Sequence, residues 1–236
     1  MKPAASNSYF GKYREIILAV AFFLVFDLAV LMLNFVISFQ ISEDAMAINL
    51  AGRQRMLSQR MTKALLVVES DTARGLSNTE ALAELKKTTA LFDTTLSGFQ
   101  HGAMVSSGDD KQVFLAAIKT NEGQEILRKA DLIWRNYKEL LAPLANDSAY
   151  TSEQFNAVVL YARENNLKLL GLMNGLTTNL ELTANAKADT LRMVQTGGIL
   201  LALLNFAFIL LKFIRRLRQN DRIVEAAQRE TTEILG

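Results

Sequence analysis

The segment that decides the fold is residues 16–39, IILAVAFFLVFDLAVLMLNFVISF, in which only Asp27, Asn34 and Ser38 are polar. As an α-helix, such a segment is about 36 Å long and can cross a hydrocarbon core about 30 Å thick. A cleaved secretory signal has a shorter apolar core of ~7 to 15 residues and a small-residue cleavage site, and neither matches this segment. We therefore expect residues 16–39 to be a retained transmembrane helix.

A second apolar segment, residues 193–214, is the other predicted transmembrane helix. Basic residues flank the two segments on the sides nearest the chain termini: Lys2, Lys12, Arg14 and the cluster at 212–222. Because cytoplasmic flanks are enriched in lysine and arginine, both termini are predicted to be cytoplasmic. The predicted organisation is a cytoplasmic N-terminus at 1–15, spans at 16–39 and 193–214, a periplasmic domain at 40–192, and a cytoplasmic signalling coil starting at 215–236. This describes a bacterial inner-membrane protein.

The composition excludes several functional classes. The 236 residues include no cysteine, two prolines and one histidine, with 26 basic and 24 acidic side chains. Without cysteine there is no disulfide framework, zinc ribbon or thiol nucleophile, and one histidine gives little to a metal site. A net charge of +2 does not indicate a nucleic-acid-binding surface. We therefore predict no enzyme, no metal, no cofactor and no nucleic-acid partner.

The outer domain is predicted to form four helices. Helical spacing of apolar residues continues from the first span to about residue 71, and a turn follows at 75–78. Capping boxes at Ser77/Glu80 and Thr151/Gln154 predict the starts of the second and fourth helices. Apolar spacing predicts the third helix at 122–144 and continues the fourth into the second span. Residues 101–110 are predicted to be a loop, whereas 113–118 fits either a short strand or a helical turn.

The predicted fold is therefore all-α. Two transmembrane helices flank a periplasmic antiparallel four-helix bundle, and helices 1 and 4 are continuous with the spans.

Three arginines within eight residues mark the first helix just outside the membrane. At 100° per residue, the apolar side chains Leu50, Leu57, Met61, Ala64 and Val68 share a face that should point to the bundle core. A different face, named here the Arg55 face, carries Ile48, Gly52, Arg55, Gln59 and Leu66. Arg53 and Arg60 share a third stripe, which we expect to be solvated.

The Arg55 face predicts contact with a second copy of the chain. Gly52 would let two helix backbones approach, and a two-fold axis there would bring two Arg55 side chains together. Facing guanidinium groups repel each other unless an anion lies between them, and their planar fork matches a planar oxyanion. The alternative is that these arginines are solvated, lie near lipid head groups, or pair with Glu43, Asp44 or Glu69.

The segment at 49–61, NLAGRQRMLSQRM, directly outside the first span, resembles the signature helix of the PilJ-type N-terminal sensor domain of type IV pilus chemotaxis transducers. It is also similar to that of the related nitrate/nitrite sensor kinases. The resemblance at residue level covers about 44–66. It implies a dimer of periplasmic four-helix bundles in which an anion, nitrate or nitrite, lies between the two first helices, and its glycine and arginine map onto Gly52 and Arg55.

The predicted ligand site therefore consists of Gly52, Arg55, Gln59 and Asn49, and the predicted homodimer face includes Ile48, Gly52 and Leu66. Within the spans, Asp27 and Asn205 lie at similar depth and are predicted to form a polar pair, which either sets the register during signalling or serves only in packing.

The function predicted from these features is that of a transmembrane sensor of a bacterial signal-transduction pathway. The alternative is a ligand-independent, dimerising scaffold in a membrane assembly such as a type IV pilus chemosensory system. After the second span, a charged segment with approximate heptads predicts a parallel coil. It stops in mid-helix at Gly236, which we interpret as the end of a fragment of a longer receptor.

Overall fold

The structure is a computed structural model that describes residues 9–107, 111–145 and 150–235. Over these residues, the structure is 89% helical and has four helices. The elements in chain order are α1 Tyr9–Arg74, α2 Thr79–His101, β1 Ala103–Ser106, β2 Gln112–Leu115, α3 Asn121–Ala145 and α4 Ser152–Leu235.

Two helices, α1 and α4, are long and apolar enough to cross a membrane. Their most apolar windows have mean hydropathies of 2.6 and 2.2. Each helix is continuous through its apolar window, as the sequence predicts, because neither contains a proline. The chain divides into two units: Ile41–Lys187, and a second unit that comprises Met1–Gln40 and Ala188–Gly236.

The unit Ile41–Lys187 has one hydrophobic core, to which all four helices and both strands contribute. The predicted core face of α1 is confirmed, since Leu50, Leu57, Met61, Ala64 and Val68 are all buried. Fully burying an aliphatic or aromatic side chain of this size contributes about 1.5–3 kcal/mol, so this face supplies a substantial part of the folding free energy. Other helices add side chains that are equally enclosed: Phe92, Phe99, Leu141, Met173 and Leu176.

Polar contacts show that α1 and α4 run antiparallel within this unit. Lys187 donates to Asp44 over 2.9 Å, and Arg163 donates to Glu69 over 2.6 Å. Glu69 follows Asp44 on α1, whereas its partner Arg163 precedes Lys187 on α4, so the two helices run in opposite directions. Because these ion pairs are largely exposed, they contribute little to stability and serve here as markers of the register between the two helices.

The helix starts show one correct and one wrong capping prediction. At α4, the Thr151 hydroxyl accepts from the Gln154 backbone N–H at 3.1 Å, and the Gln154 side chain accepts from the Thr151 backbone N–H at 2.9 Å. This capping box is confirmed. At α2 the N-cap is Asn78 and makes no side-chain capping bond. The predicted turn at 75–78 does form, with Gly75 at φ 67°, but it places Ser77 one residue too early for a capping box.

The main departure from the predicted all-α fold is a β-hairpin between α2 and α3. Strands β1 and β2 pair antiparallel, with Met104 opposite Phe114. The prediction of an uninterrupted loop at 101–110 is wrong over β1, and the ambiguous segment at 113–118 contains strand β2. Strands of four residues are too short for alternation of apolar and polar residues to identify them. Residues 108–110 of the predicted loop lie outside the described chain.

The hairpin packs on α2 at a glycine. A Cβ on Gly98 would lie 2.9 Å from Cγ1 of Val105 and 3.1 Å from Cδ2 of Leu115, both closer than ordinary contact. Glycine is therefore required for the strands to approach the helix this closely. Gly102, at φ 77°, reverses the chain between α2 and β1, and its N–H donates to the Gly98 carbonyl over 2.9 Å.

Candidate functional site

The predicted ligand residues Arg55 and Gln59 both contact α4. The Arg55 Nη1 donates to Oδ1 of Asn174 over 2.8 Å, and the Gln59 Nε2 donates to Oδ1 of Asn166 over 2.7 Å. Arg55 is exposed and Gln59 is half-buried. Sequence reasoning did not identify the two asparagines, because α1 alone shows no sign of which residues of α4 lie opposite.

The charge of Arg55 is not neutralised within the described residues, among which no carboxylate forms an ion pair with it. Its bonded partner, the Asn174 amide oxygen, is uncharged. Two of the acids that the alternative interpretation offered as partners are bound elsewhere: Asp44 to Lys187, and Glu69 to Arg163. A guanidinium that is exposed, oriented by an amide and not neutralised is a suitable group for an external oxyanion.

The other residues predicted for the ligand site and the dimer face are accessible to differing degrees. A Cβ placed on Gly52 would meet no atom within 4 Å, so the tertiary structure of one chain does not require glycine there. Leu66 is 38% exposed, Asn49 is exposed and Ile48 is half-buried. Gln59 and Leu66 also line an open depression of about 390 Å³ that Asn166 borders on the α4 side.

The sequence predicted that Arg53 and Arg60 share a solvated stripe, and this prediction is wrong for Arg53. Its Nη2 donates to the Ser106 carbonyl of β1 and to the Thr95 hydroxyl of α2. Arg60 is exposed and donates to Glu84 over 2.6 Å, so for that residue the expectation was correct. The difference arises because the unpredicted hairpin places the Ser106 backbone carbonyl next to Arg53 as an acceptor.

Replacing Arg53 with methionine is expected to destabilise the chain by about 1.5–3 kcal/mol, the usual range for a hydrogen bond to a charged group. The Ser106 carbonyl would lose its charged donor, and the hairpin its link to α1. Thermal unfolding followed by circular dichroism measures this loss. Arg60→Met is the matched control, with an expected loss of less than about 1 kcal/mol, since it breaks only an exposed pair. Equal losses in the two variants would contradict the anchoring role of Arg53.

Other residues of the arginine-rich segment are structural. Gln54 is fully buried, and its Nε2 donates to the Phe92 carbonyl of α2 over 2.8 Å.

Aromatic side chains of α2 and α3 pack next to this contact. The Phe92 ring packs 4.5 Å from that of Trp134, whose Nε1 donates to Asp93 over 2.8 Å. Burial raises the pKa of Tyr137 well above its usual range, so its phenol stays protonated. Trp134 and Tyr137 are core residues.

The predicted polar pair of Asp27 and Asn205 in the spans stays a prediction. Asp27 is exposed on α1, and the buried Nδ2 of Asn205 has no hydrogen-bond partner among the described residues. The Phe23 and Phe206 rings lie 6.1 Å apart, so the two apolar helices contact each other close to Asn205.

Two membrane-length helices with a compact helical unit between them define a membrane-anchored helical module. A family comparison identifies it further: residues 36–157, more than half of the chain, match the family PilJ, Type IV pili methyl-accepting chemotaxis transducer N-term. The chain belongs to this family. The resemblance to PilJ-type sensor domains is thus confirmed, whereas the likeness to nitrate/nitrite sensor kinases stays a prediction. No curated protein and no solved structure matches the chain.

Membership of this family establishes the general class of function. The family is a chemotaxis transducer module of sensor type, which is a signalling module and not a known enzyme family. Together with the two apolar helices, it supports an inner-membrane protein.

Proposed function

We propose that this chain is the transmembrane sensor part of a bacterial signal-transduction protein. Its outer region, 40–192, is a periplasmic four-helix bundle that forms a homodimer, and both termini are cytoplasmic. A small planar anion, nitrate or nitrite, binds between the Arg55 side chains of the two protomers. The observation that carries the proposal is the exposed Arg55 guanidinium, which is held by a neutral amide and has no described ion-pair partner.

The bundle is supported by contacts between successive helices. Besides the α1–α4 ion pairs, Gln54 of α1 reaches the Phe92 carbonyl of α2, and Asp93 of α2 accepts from Trp134 of α3. The Tyr161 hydroxyl of α4 donates to the Ile133 carbonyl of α3 over 3.0 Å. Hydrogen bonds thus connect each helix to the next, and ion pairs connect α4 to α1, as expected for a closed four-helix bundle.

The anion is supported by charge and by donor geometry. Two guanidinium groups about 6 Å apart repel each other by roughly 3 kcal/mol at an effective dielectric constant of 20, and one anion between them reverses this effect. Each guanidinium can donate two parallel N–H bonds to two oxygens of a planar anion. Because Oδ1 of Asn174 accepts from Arg55, the Nδ2 of Asn174 lies nearby as an additional donor.

Transmission is supported by the helices that meet at this position. Arg55 lies on α1 and its partner Asn174 lies on α4, and both helices continue without a break into the apolar windows. An anion that draws Arg55 toward the partner protomer would compete with the Arg55–Asn174 bond. The binding energy would then favour one arrangement of α1 relative to α4 over another.

Asn174→Asp should reduce nitrate affinity at least tenfold without abolishing the dimer. The substitution has nearly the same shape, but it places a carboxylate on Arg55 at the 2.8 Å contact and neutralises the charge that attracts the anion. Isothermal titration of the full chain with nitrate measures this effect. The control is Asn166→Asp, which adds the same charge on α4 next to the neutral Gln59. An equal loss in both variants would indicate general electrostatic repulsion and contradict a specific site at Arg55.

Gly52→Ala should stabilise the isolated protomer and weaken the dimer. A Cβ at this position meets open space in one chain, and alanine is favoured over glycine within a helix by about 1 kcal/mol. At a close contact between two α1 helices the same methyl group would clash, so the dimer dissociation constant should rise at least tenfold. Analytical ultracentrifugation in detergent measures it.

The matched control for Gly52→Ala is Gly171→Ala, because a Cβ on Gly171 of α4 also meets open space. The dimer constant of this variant should stay within about threefold of the unchanged chain. If Gly52→Ala leaves the dimer equally unchanged, the two α1 helices do not approach each other at Gly52.

A further inference from the structure

A second cavity lies between residues 43–47 of α1, the segment 116–120 and α4. It is distant along α1 from the depression that Gln59 and Leu66 line. Its volume is about 350 Å³. This lies within the range of small-molecule sites, which is about 300–1,000 Å³. It shares no lining residue with the proposed anion site.

The cavity is lined by both apolar and charged side chains. Met46, Phe114, Ile118 and Leu180 supply apolar surface from α1, β2, the following segment and α4. Phe114 is 60% exposed, so its ring is accessible to a ligand in the cavity. An apolar group of a ligand would be shielded from water by these side chains.

The charged lining is balanced. Glu43 and Asp44 of α1 face the cavity together with Lys119 and Lys187, and Lys187 donates to both carboxylate oxygens of Asp44 at 2.9 and 3.2 Å. A ligand with a single charge would pair with one member of the Asp44–Lys187 bridge and leave the other without its partner. A zwitterion replaces both halves of the bridge, since its cation can bind a carboxylate and its anion a lysine.

The wall formed by the segment 116–120 is held in place. The Ile118 N–H donates to the Phe99 carbonyl over 2.9 Å, and the Thr120 hydroxyl donates to Oδ1 of Asn179 over 3.0 Å. A Cβ on Gly123 would lie 2.5 Å from Cγ2 of Ile118, so α3 packs against this segment as closely as glycine allows. A preformed wall reduces the entropy that a ligand loses on binding.

From the apolar wall, the balanced charges and the fixed segment, we propose that this cavity binds a small zwitterion with an apolar side chain, of the chemical class of free amino acids. The ammonium group lies against Asp44 and Glu43, the carboxylate against Lys187, and the side chain against Phe114. The proposal does not rest on anion binding at Arg55.

The test uses the full chain in detergent and three probes that share one apolar group. L-leucine carries both charges, 3-methylbutylamine lacks the carboxylate, and 4-methylpentanoate lacks the amine. We expect leucine to raise the unfolding temperature in a saturable manner and to bind at least tenfold more tightly than either singly charged probe. Equal binding of the three probes would overturn the charge-pair argument. No shift with leucine, valine, methionine or phenylalanine would overturn the site.

Substitutions at the cavity test whether leucine binds there. Ala47→Phe fills the space next to Phe114 and should abolish the leucine shift, whereas Ala73→Phe makes the same change at an exposed position of the same helix and should preserve it. If Ala47→Phe does not fold, Lys187→Met should weaken leucine binding at least tenfold, with Lys168→Met of α4 as the unaffected control. Arg55→Ala should leave leucine binding unchanged, which separates this site from the anion site. Retention of the shift in Ala47→Phe or Lys187→Met would overturn the proposal.

Discussion

Replacing Arg55 with alanine is expected to abolish the stabilisation of the full chain by nitrate. If nitrate binds only the folded dimer, a concentration one hundred times the dissociation constant adds about 2.7 kcal/mol to the unfolding free energy. For a chain of this size, that is an increase of about 5–10 °C in unfolding temperature. Without the guanidinium, the planar anion has lost its charged and bidentate donor, so the increase should fall below about 1 °C. Differential scanning calorimetry in detergent, with sodium chloride as the ionic-strength control, measures it.

The matched variant is Arg60→Ala, five residues along the same helix. Arg60 is exposed like Arg55, but it pairs with Glu84, so its removal should leave the nitrate response within about twofold of that of the unchanged chain. Arg55→Gln should remain a dimer and lose the response. If neither nitrate nor nitrite stabilises the unchanged chain while it remains a dimer, the ligand-independent scaffold becomes the better description. That result would leave the family and the fold unaffected.

Replacing Phe92 with alanine is expected to lower the unfolding free energy by about 3–5 kcal/mol, or the unfolding temperature by about 6–20 °C. Phe92 is fully buried, its ring packs on Trp134, and its carbonyl accepts from Gln54. Truncation would leave a cavity where α1, α2 and α3 meet. Because Trp134 is the only tryptophan, its fluorescence reports the unfolding of this region directly.

Phe114→Ala is the control for the same side-chain deletion at an exposed position. Its ring is 60% exposed on β2, so the loss should be under about 1 kcal/mol. If Phe92→Ala lost as little unfolding free energy as Phe114→Ala, the neighbouring side chains would have moved in to fill the space left by the ring. The packing centre shared by three helices would then be far less rigid than the contacts indicate.

The helical periodicity of α1 was sufficient to predict the core face accurately. A side chain every 100° places Leu57, Met61 and Ala64 on one side, and burial of apolar surface forces that side inward whatever the partner helices are. The same reasoning was wrong for Arg53. Its environment depends on the Ser106 carbonyl, 53 residues away in sequence, and on a hairpin too short to have a clear pattern.

The candidate site also has one part that the sequence predicted and one part that it did not. The position of Arg55 opposite the core follows from the sequence of α1 alone. Its contact with Asn174 does not, because that contact depends on the register of α1 on α4, which the Asp44–Lys187 and Glu69–Arg163 pairs mark.

The sequence by itself determined the two apolar helices, the helical unit between them, the inward face of α1 and the arginine-rich motif that identifies the family. Each of these is a property of consecutive residues on one helix, where hydrophobicity and a fixed rotation per residue leave little choice. Only the tertiary structure decided the hairpin, the neutral partner that leaves Arg55 with its charge, the open space at Gly52 and the charge-balanced cavity beside Phe114. Those features depend on distances between segments far apart in the chain, and such distances are set by the packing of whole side chains against one another.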